Sequence, residues 1–279
     1  MRNNNINYDD LIKSINDSIV QNKLLQKAIK KIEDLGFKIV IGSEIEFYLF
    51  DFDYKDLQDF IKIEIRKEKA HLQYEVDFGP YDDVYTLIKK MKHFIKESKN
   101  YAKNKIDFSP KPIENDYGNG MHFHINLIDK NGQNYFDDSQ KIDISCFYLC
   151  ETMLETLLMF CPNEEKISRF NYEFMAPVNV SFSLNNRTVP IRIPGTYPKR
   201  IEHRISTPSD NIESVLFIII KSIWLSLKNN DVYDKRQIDK YKVFGNAFDE
   251  QYNHLINFPK DINEIKRLFN QGFFDSFDE

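Results

Sequence analysis

Several features that would point to particular protein classes are scarce in this sequence. Glycine accounts for only 9 of the 279 residues, which excludes fibrous and glycine-rich low-complexity proteins. Lysine and arginine total 38 against 43 aspartates and glutamates, and this lack of a basic excess disfavours a general nucleic-acid-binding protein. The three cysteines form no CxxC pair. The most apolar stretch, residues 215–227, contains a lysine and is too short to cross a bilayer.

The same features indicate where the protein works. Cys146 and Cys150 are four residues apart in an apolar run, so we expect them, and Cys161, to be buried thiols in a reducing compartment. The amino-terminal segment MRNNNINYDD is too polar for a signal peptide. With 42% hydrophobic and 29% charged residues, the composition is typical of a globular protein. We therefore predict a cytoplasmic protein that binds neither nucleic acid nor a membrane.

The order of the predicted elements favours an α+β fold with a largely antiparallel sheet, because strands follow one another with few helices between them. Helical or apolar periodicity predicts helices at residues 9–35, from 82 to about 102, at 142–161 and at 211–227. The predicted strands are 37–50, 61–66, 73–78, 121–128, 178–183, 187–193 and 200–205. We interpret residues 1–36 as a helical lead, 37–228 as the main domain, and 229–279 as an irregular or helical tail of that domain.

Polar side chains are concentrated on one face of four predicted strands. Side chains two positions apart on a strand point the same way, so GSEIEFYLF, QYEVDF, MHFHIN and KRIEHR each carry their polar groups on one face. Half-solvated antiparallel sheets alternate in the same manner, and a plain wet surface is therefore the competing interpretation. Adjacent carboxylates on a bare surface repel one another, however, and a divalent cation would offset their charge.

These side-chain types suit Mg²⁺ or Mn²⁺, which prefer carboxylate oxygens and accept imidazole. The candidate metal ligands are Glu44, Glu46, Glu68, Glu75, His122 and Glu202. Arginines near them would bind phosphate or carboxylate groups through paired hydrogen bonds.

The same segments resemble the motifs of the glutamine synthetase family and occur in the family's order between about residues 36 and 228. GSEIEFYLFD resembles the metal-binding strand, and EKAHLQYEV resembles the family's next metal-binding stretch. KPIENDYGNGMHFHINL is similar to KP…GSGMHxHxSL, NNRTVPIRIP to NRSxxIRIP, and KRIEHR to RIExR. The resemblance implies the catalytic-domain fold of that family, a curved half-barrel sheet with helices on its convex side.

The resemblance also implies a role for each matching residue. One metal would be held by Glu46, Glu68 and Glu75, and a second by Glu44, His122 and Glu202. The nucleotide and its transferring phosphoryl group would be bound by His124, Asn126, Arg187, Arg192, Lys199 and Arg200. The amino-acid substrate would be bound by Gly118, Arg169 and Arg204. Arg187 and Arg169 would also take part in catalysis, and Glu173 is a candidate base.

The activity implied is that of an ATP-dependent carboxylate–amine ligase with Mg²⁺ or Mn²⁺ as cofactor and ATP as co-substrate. The γ-phosphoryl group of ATP would move to the carboxylate of glutamate or a similar amino acid. Ammonia or another amine would then attack the acyl phosphate. Metals and arginines suit this chemistry because the reacting groups are mutually repelling anions.

Two departures from the family keep alternatives open. Only about 36 residues precede the first metal strand, where the family has a β-grasp domain, so we expect a homo-oligomer or a partner chain that supplies this domain. Met175 stands where the family has a glutamate that handles ammonium, and Glu173 lies two residues earlier. The alternative is a catalytically weak or inactive metal- and nucleotide-binding paralogue, or a subunit of a split enzyme. A phosphotransferase acting on a guanidino group is a third, less supported option, because no motif for that acceptor is visible.

Overall fold

In a computed structural model, which describes residues 7–229, 235–275 and 277, the strands of the described chain form one open sheet. The strands are β1 Phe37–Leu49, β2 Ile65–Lys67, β3 Gln73–Tyr81, β4 Ile106–Asp107, β5 Met121–Asp129, β6 Phe182–Leu184, β7 Ile191–Ile193 and β8 Ile201–His203. Their spatial order is β2-β3-β1-β5-β8-β7-β6, and β4 pairs with the end of β1. Every described strand pair is antiparallel except β6–β7, which confirms the predicted α+β class with a largely antiparallel sheet.

Helices cover the apolar side of this sheet. The longer ones are α1 Tyr8–Ile15, α2 Ser18–Asp34, α3 Tyr54–Ile61, α4 Val84–Ala102, α5 Ser139–Glu151 and α8 Ile212–Lys228. The shorter ones are α6 Met153–Thr156, α7 Glu164–Ile167, α9 Lys235–Asp239, α10 Ile262–Leu268 and α11 Gly272–Asp275. Short 3₁₀ turns lie at Lys103–Lys105, Tyr135–Asp137, Leu157–Met159, Tyr172–Phe174 and Glu250–Tyr252.

The strand alternation of β1 decides which side chains enter the core. Ile41, Ile45 and Phe47 are fully buried, and Phe47 packs against Phe94 of α4 with ring centroids 5.7 Å apart. Helix α8 packs against both α2 and α5, and its apolar side chains belong to the same continuous core. Because odd-numbered residues of β1 fill the core, the even-numbered residues, Glu44 and Glu46 among them, point to the opposite face.

Several predicted elements differ from the structure. The predicted strands 178–183 and 187–193 are observed as the shorter β6 Phe182–Leu184 and β7 Ile191–Ile193. The predicted helix 9–35 is two helices, because Asn16 ends α1 and the carboxylate of Asp17 accepts a hydrogen bond from the Val20 amide at the start of α2. The predicted strand 61–66 is wrong. Its first residue ends α3, Lys62 follows in a left-handed conformation, and only residues 65–67 pair with β3. The predicted helix 142–161 begins at Ser139 and breaks after Glu151.

Side chains cap the starts of two long helices. Asp83 caps α4 through a 3.1 Å hydrogen bond from the Tyr85 amide, and Asn211 caps α8 through a 2.9 Å bond from the Ser214 amide. All three cysteines are free and buried. Among the helices that the structure describes, each is too short or too polar to cross a lipid bilayer.

Candidate active site

Strand pairing brings the polar faces of β1, β3 and β5 together. Glu46 of β1 is paired with Glu75 of β3 in the antiparallel register. Glu44 is paired with His122 of β5 on the other side of β1. Directly paired side chains on one sheet face lie about 5 Å apart, so β1 contributes one carboxylate toward each neighbouring strand.

The same pairing extends the polar face to β8 and β7. Glu202 of β8 is paired with His124 of β5 on one side and with Arg192 of β7 on the other. The four strand faces that the sequence singled out therefore form one continuous polar surface. Its carboxylates and imidazoles fall into two clusters, which we call the acidic cluster and the imidazole cluster.

The acidic cluster consists of Glu46, Glu68 and Glu75, whose carboxylate oxygens include a set lying within 4.8 Å of one another. Glu46 is held in place by the Gly120 amide, 2.6 Å from its Oε2, and by Gln73 Nε2 at 3.3 Å. Gln73 is buried and was not among the predicted ligands, although the alternation of QYEVDF places it on the same face. Three half-buried carboxylates at this spacing can hold a divalent cation.

The imidazole cluster consists of Glu44, His122, His124 and Glu202. One oxygen or nitrogen atom from each of Glu44, His124 and Glu202 lies within 4.8 Å of the other two. His122 Nδ1 lies 3.4 Å from a Glu44 carboxylate oxygen and 3.8 Å from Glu202 Oε1. Both imidazoles contact Glu44. The two histidines and two glutamates of the set therefore offer two nitrogen and at least two oxygen donors to a metal ion.

The pKa of a glutamate is shifted in opposite directions in the two clusters. For Glu44 burial disfavours the charged form, but hydrogen bonds from His122 and His124 outweigh it and hold the pKa far below its usual range. For Glu75 burial and the neighbouring charges of Glu44 and Glu68 act together and raise the pKa to about 9. Around Glu75, therefore, a cation has to offset the repulsion before every carboxylate can ionise at neutral pH.

Two arginines hold Glu202 in its position. Arg192 Nη1 donates to Glu202 Oε2, and Arg204 Nη1 donates to Oε1, each at 2.7 Å. Glu202 is 1% exposed, and although burial opposes its ionisation, Arg204 and His122 lower its pKa to about 2. It is therefore a fixed anion at the centre of the polar surface.

Arg169 is buried. Its Nη1 donates to the Ile205 carbonyl at 3.0 Å and its Nη2 to the Arg204 carbonyl at 3.3 Å, so it is tied to the end of β8. A Cβ at Gly118 would lie 2.9 Å from Arg169 Cγ and 2.6 Å from the Pro110 carbonyl oxygen. Glycine is therefore the residue that allows this close approach.

A cavity of about 260 Å³ opens beside the imidazole cluster. Its polar walls include Glu44, Asp77, His124, Asn126 and Arg200, and its apolar walls include Val40, Phe78, Pro80, Tyr197 and Pro198. Arg200 Nε donates to His124 Nδ1 at 3.3 Å. The side-chain oxygen of Asn126 is buried and has no hydrogen-bond partner within the described chain. We call this space the nucleotide cavity, after the role that the family resemblance implies for Asn126 and Arg200.

A smaller cavity of about 60 Å³ lies over the acidic cluster. Its floor includes Glu46, Glu68, Arg169, Arg187 and Arg204. Its roof is formed by residues 174–177, with Tyr117 beside them. We call this space the acceptor cavity, after the substrate-binding role that the family resemblance implies for Arg169 and Arg204.

Two predicted site residues lie elsewhere than the resemblance implies. Glu173 is exposed and does not line the acceptor cavity, whereas Met175 does. Lys199 lines a third cavity of about 750 Å³, whereas its neighbour Arg200 lines the nucleotide cavity. Arg187 lies between the acceptor cavity and this large cavity and lines both.

Comparison with known proteins agrees with this architecture. Residues 60–230 match the family model described as the glutamine synthetase catalytic domain. The chain belongs to the glutamine synthetase catalytic-domain family. The glutamine synthetase of Pyrococcus horikoshii is 28% identical over 227 residues, which cover 67% of this chain and 51% of that protein.

More distant relatives extend this picture. The gamma-glutamylputrescine synthetase of Escherichia coli is 28% identical over 155 residues, which cover 53% of this chain and 32% of that protein. A glutamine synthetase structure from Plasmodium falciparum shares the fold, with a TM-score of 0.70 at 15% identity over 91% of this chain and 71% of that one. The chain spans about half the length of the curated glutamine synthetases that it matches.

Proposed function

We propose that this protein is an ATP-dependent carboxylate–amine ligase of the glutamine synthetase type. It would transfer the γ-phosphoryl group of ATP to glutamate or a similar amino acid and pass the acyl group to ammonia or another amine. The observation that carries the proposal is that the acidic cluster and the imidazole cluster lie side by side on one sheet face. Strand β1 contributes Glu46 to the acidic cluster and Glu44 to the imidazole cluster. Phosphoryl transfer between anions needs this concentration of metal ligands and arginines.

The donor set supports two sites for Mg²⁺ or Mn²⁺. Glu46, Glu68 and Glu75 would hold one ion, and the imidazole cluster would hold the other. The pKa of about 9 at Glu75 supports the first site, because a carboxyl group crowded by Glu44 and Glu68 ionises more readily when a cation offsets the repulsion. Bound ions would lower the electrostatic barrier between ATP and the carboxylate substrate.

The cavities suggest how the substrates would be arranged. The nucleotide cavity would hold the base and ribose of ATP, with Asn126 on its wall and Arg200 directed toward the phosphates. Arg187 and Arg192 would stabilise the transferring phosphoryl group by paired hydrogen bonds. Arg169 and Arg204, with the close backbone at Gly118, would bind the amino acid at the acceptor cavity.

One observation favours the alternative of a weak or inactive paralogue. Met175 occupies the acceptor cavity and cannot accept a proton, while Glu173 is exposed outside it. Amine attack requires removal of a proton and a site closed to water. If that step is lost, the chain would still bind metal and ATP but would form little amide product.

A hydroxylamine assay separates these functions. The full chain is incubated with ATP, Mn²⁺, glutamate and hydroxylamine, and γ-glutamyl hydroxamate and ADP are both measured. Glu46→Ala and Glu202→Ala should each lower hydroxamate formation by roughly a hundredfold or more, because each removes a charge at the centre of a cluster. Glu64→Ala is the matched control, since the Glu64 side chain is 70% exposed at the start of β2.

Hydroxamate formation that survives both cluster variants would refute the site assignment. ATP binding without product in the unaltered chain would favour the paralogue over the ligase.

A further inference from the structure

The acceptor cavity has a polar floor and an apolar roof. Its roof is formed by Tyr117, Phe174, Met175 and the following Ala-Pro pair. Tyr117 and Phe174 meet edge to face with ring centroids 5.7 Å apart. Met175 sits at the turn of the loop with a φ of 58° and remains 40% exposed. The surface that faces the acidic cluster from above is therefore hydrophobic and partly accessible.

The acceptor cavity adjoins a much larger space. Met175 and Arg187 line both the acceptor cavity and the large cavity, which has a volume of about 750 Å³. Apolar walls of the large cavity include Phe136, Ile142, Leu184, Ile193, Val243 and Phe244. Leu184 is 59% exposed and Phe244 80% exposed, so these side chains have apolar surface left to bury. A volume of this size accommodates a small organic group.

The charges around the large cavity disfavour a second cation there. Its cationic lining residues are Arg187, Lys199 and Lys242, and its acidic ones are Asp137 and Asp143. Lys242 and Asp143 form an ion pair with each other. Outside this ion pair, Arg187 and Lys199 leave a net positive charge over Asp137. A ligand with a positive charge at its far end would therefore be repelled.

We infer that the amine used in the proposed reaction is a primary monoamine with an apolar alkyl or aryl body, rather than ammonia or a diamine. The inference rests on the proposed function and specifies its acceptor. The amine nitrogen would lie in the acceptor cavity, and its apolar body would pass Met175 and Arg187 into the large cavity. Burial there would provide binding energy that ammonia cannot obtain.

The chemical step is balanced without a further reactant. The amine binds as its free base, having left its ammonium proton in water, which an apolar environment favours. Its nitrogen lone pair forms the C–N bond with the acyl carbon, and the C–O bond to the phosphoryl group breaks. The departing phosphate keeps that electron pair and takes up the proton that the nitrogen loses.

The test compares four acceptors with the full chain at saturating Mg²⁺, ATP and glutamate: ammonium, putrescine, butylamine and phenethylamine. Amide products are identified by mass spectrometry, ADP is measured in parallel, and kcat/KM is obtained for each amine. We expect phenethylamine to exceed both ammonium and putrescine by roughly tenfold or more, because each buried methylene contributes to discrimination.

A matched pair of variants locates the effect. Leu184→Asp places a charge on the wall of the large cavity, whereas Leu268→Asp changes an exposed leucine, 40% accessible, that does not line it. The ratio of phenethylamine to ammonium activity should fall about tenfold in Leu184→Asp and remain unchanged in Leu268→Asp. Calorimetric titration of phenethylamine should show the same contrast in affinity without turnover.

Different results would contradict the proposed ligase function and the inferred monoamine acceptor. If no amine gives an amide and no ADP forms, the proposed ligase function is wrong, and the inference is lost with it. If amides form but ammonium or putrescine is as efficient as phenethylamine, only the inference is overturned. An equal loss in Leu184→Asp and Leu268→Asp would also overturn it.

Discussion

Replacing Glu75 with glutamine should stabilise the metal-free protein at pH 8 and abolish most of its stabilisation by Mn²⁺. Burial and the charges of Glu44 and Glu68 raise the pKa of Glu75 to about 9. The folded protein therefore holds a proton at this carboxyl group at pH 8, whereas the unfolded chain releases it near the ordinary value of 4.5. Glutamine has the shape of the protonated acid and has no proton to lose.

The change in the free energy of unfolding follows from the difference in pKa between the folded and unfolded states. Because the folded state binds the extra proton, the free energy of unfolding decreases as pH rises through the window from 4.5 to about 9. The interval from the ordinary pKa of 4.5 to pH 8 is roughly 3.5 pH units, which corresponds to a loss of at most about 5 kcal/mol in the free energy of unfolding at 1.36 kcal/mol per unit. Screening by water at a half-buried cluster reduces the expected gain to about 2 kcal/mol. In a chain of this size that gain raises the Tm by about 4–6 °C.

The assay is thermal or urea unfolding at pH 5 and pH 8, with and without Mn²⁺. In the unaltered protein, Mn²⁺ at a hundred times its Kd should add about 2.7 kcal/mol, and Glu75→Gln should lose most of that gain. Glu64→Gln, at an exposed side chain outside the cluster, should change neither quantity. A Glu75→Gln variant that is less stable than the unaltered metal-free protein at pH 8, or that keeps the full Mn²⁺ effect, would refute the electrostatic argument.

Two further predictions concern close packing and a buried ion pair. Gly120→Ala would bring a Cβ within 2.3 Å of His122 Nε2, so we expect a loss of about 2 kcal/mol in urea unfolding and weaker Mn²⁺ binding. Gly79→Ala, which meets nothing within 4 Å, is the control, and equal losses in the two variants would contradict the steric argument. Lys166→Met would leave Asp210 buried without its ion-pair partner and should cost about 3–5 kcal/mol. A change below about 1 kcal/mol in the same assay would show that the amide and hydroxyl of Thr207 suffice to satisfy Asp210.

The fold was predictable where one residue pattern determined both the element and its buried face. The strand predicted at 37–50 is observed as Phe37–Leu49 because alternating apolar residues fit a sheet covered on one side. The strand predicted at 61–66 fails because a short alternation also fits the end of an amphipathic helix followed by a turn. Sequence alone could not weigh the packing of α3 against α4, which decides between these structures.

The candidate site was likewise predictable only where a residue pattern determined which way a side chain faces. Alternation placed Glu44, Glu46 and His122 on one face, and strand register then brought them together. The roles implied for them remain predictions. Lys199 and Arg200 were grouped as nucleotide-binding residues, yet they line different cavities. Both precede β8 in a segment without regular secondary structure, where no alternation determines which side a residue faces. The apolar roof at Met175 depends on how an irregular loop folds over the sheet, for which no periodic pattern exists.

The central position of β5 makes correct strand register a condition for forming the site. A slip of one residue against β1 would turn His122 and His124 toward the helices and bring Phe123 and Ile125 to the polar face. The slipped sheet would bury two imidazoles in the core and leave the carboxylates without their nitrogen partners. The candidate metal ligands also extend from residue 44 to residue 202, so the clusters are complete only after β1, β3, β5 and β8 have all paired. Divalent-cation affinity would therefore report whether the sheet has assembled in the correct register. In a refolding mixture, correctly paired molecules could be separated from slipped ones by this affinity.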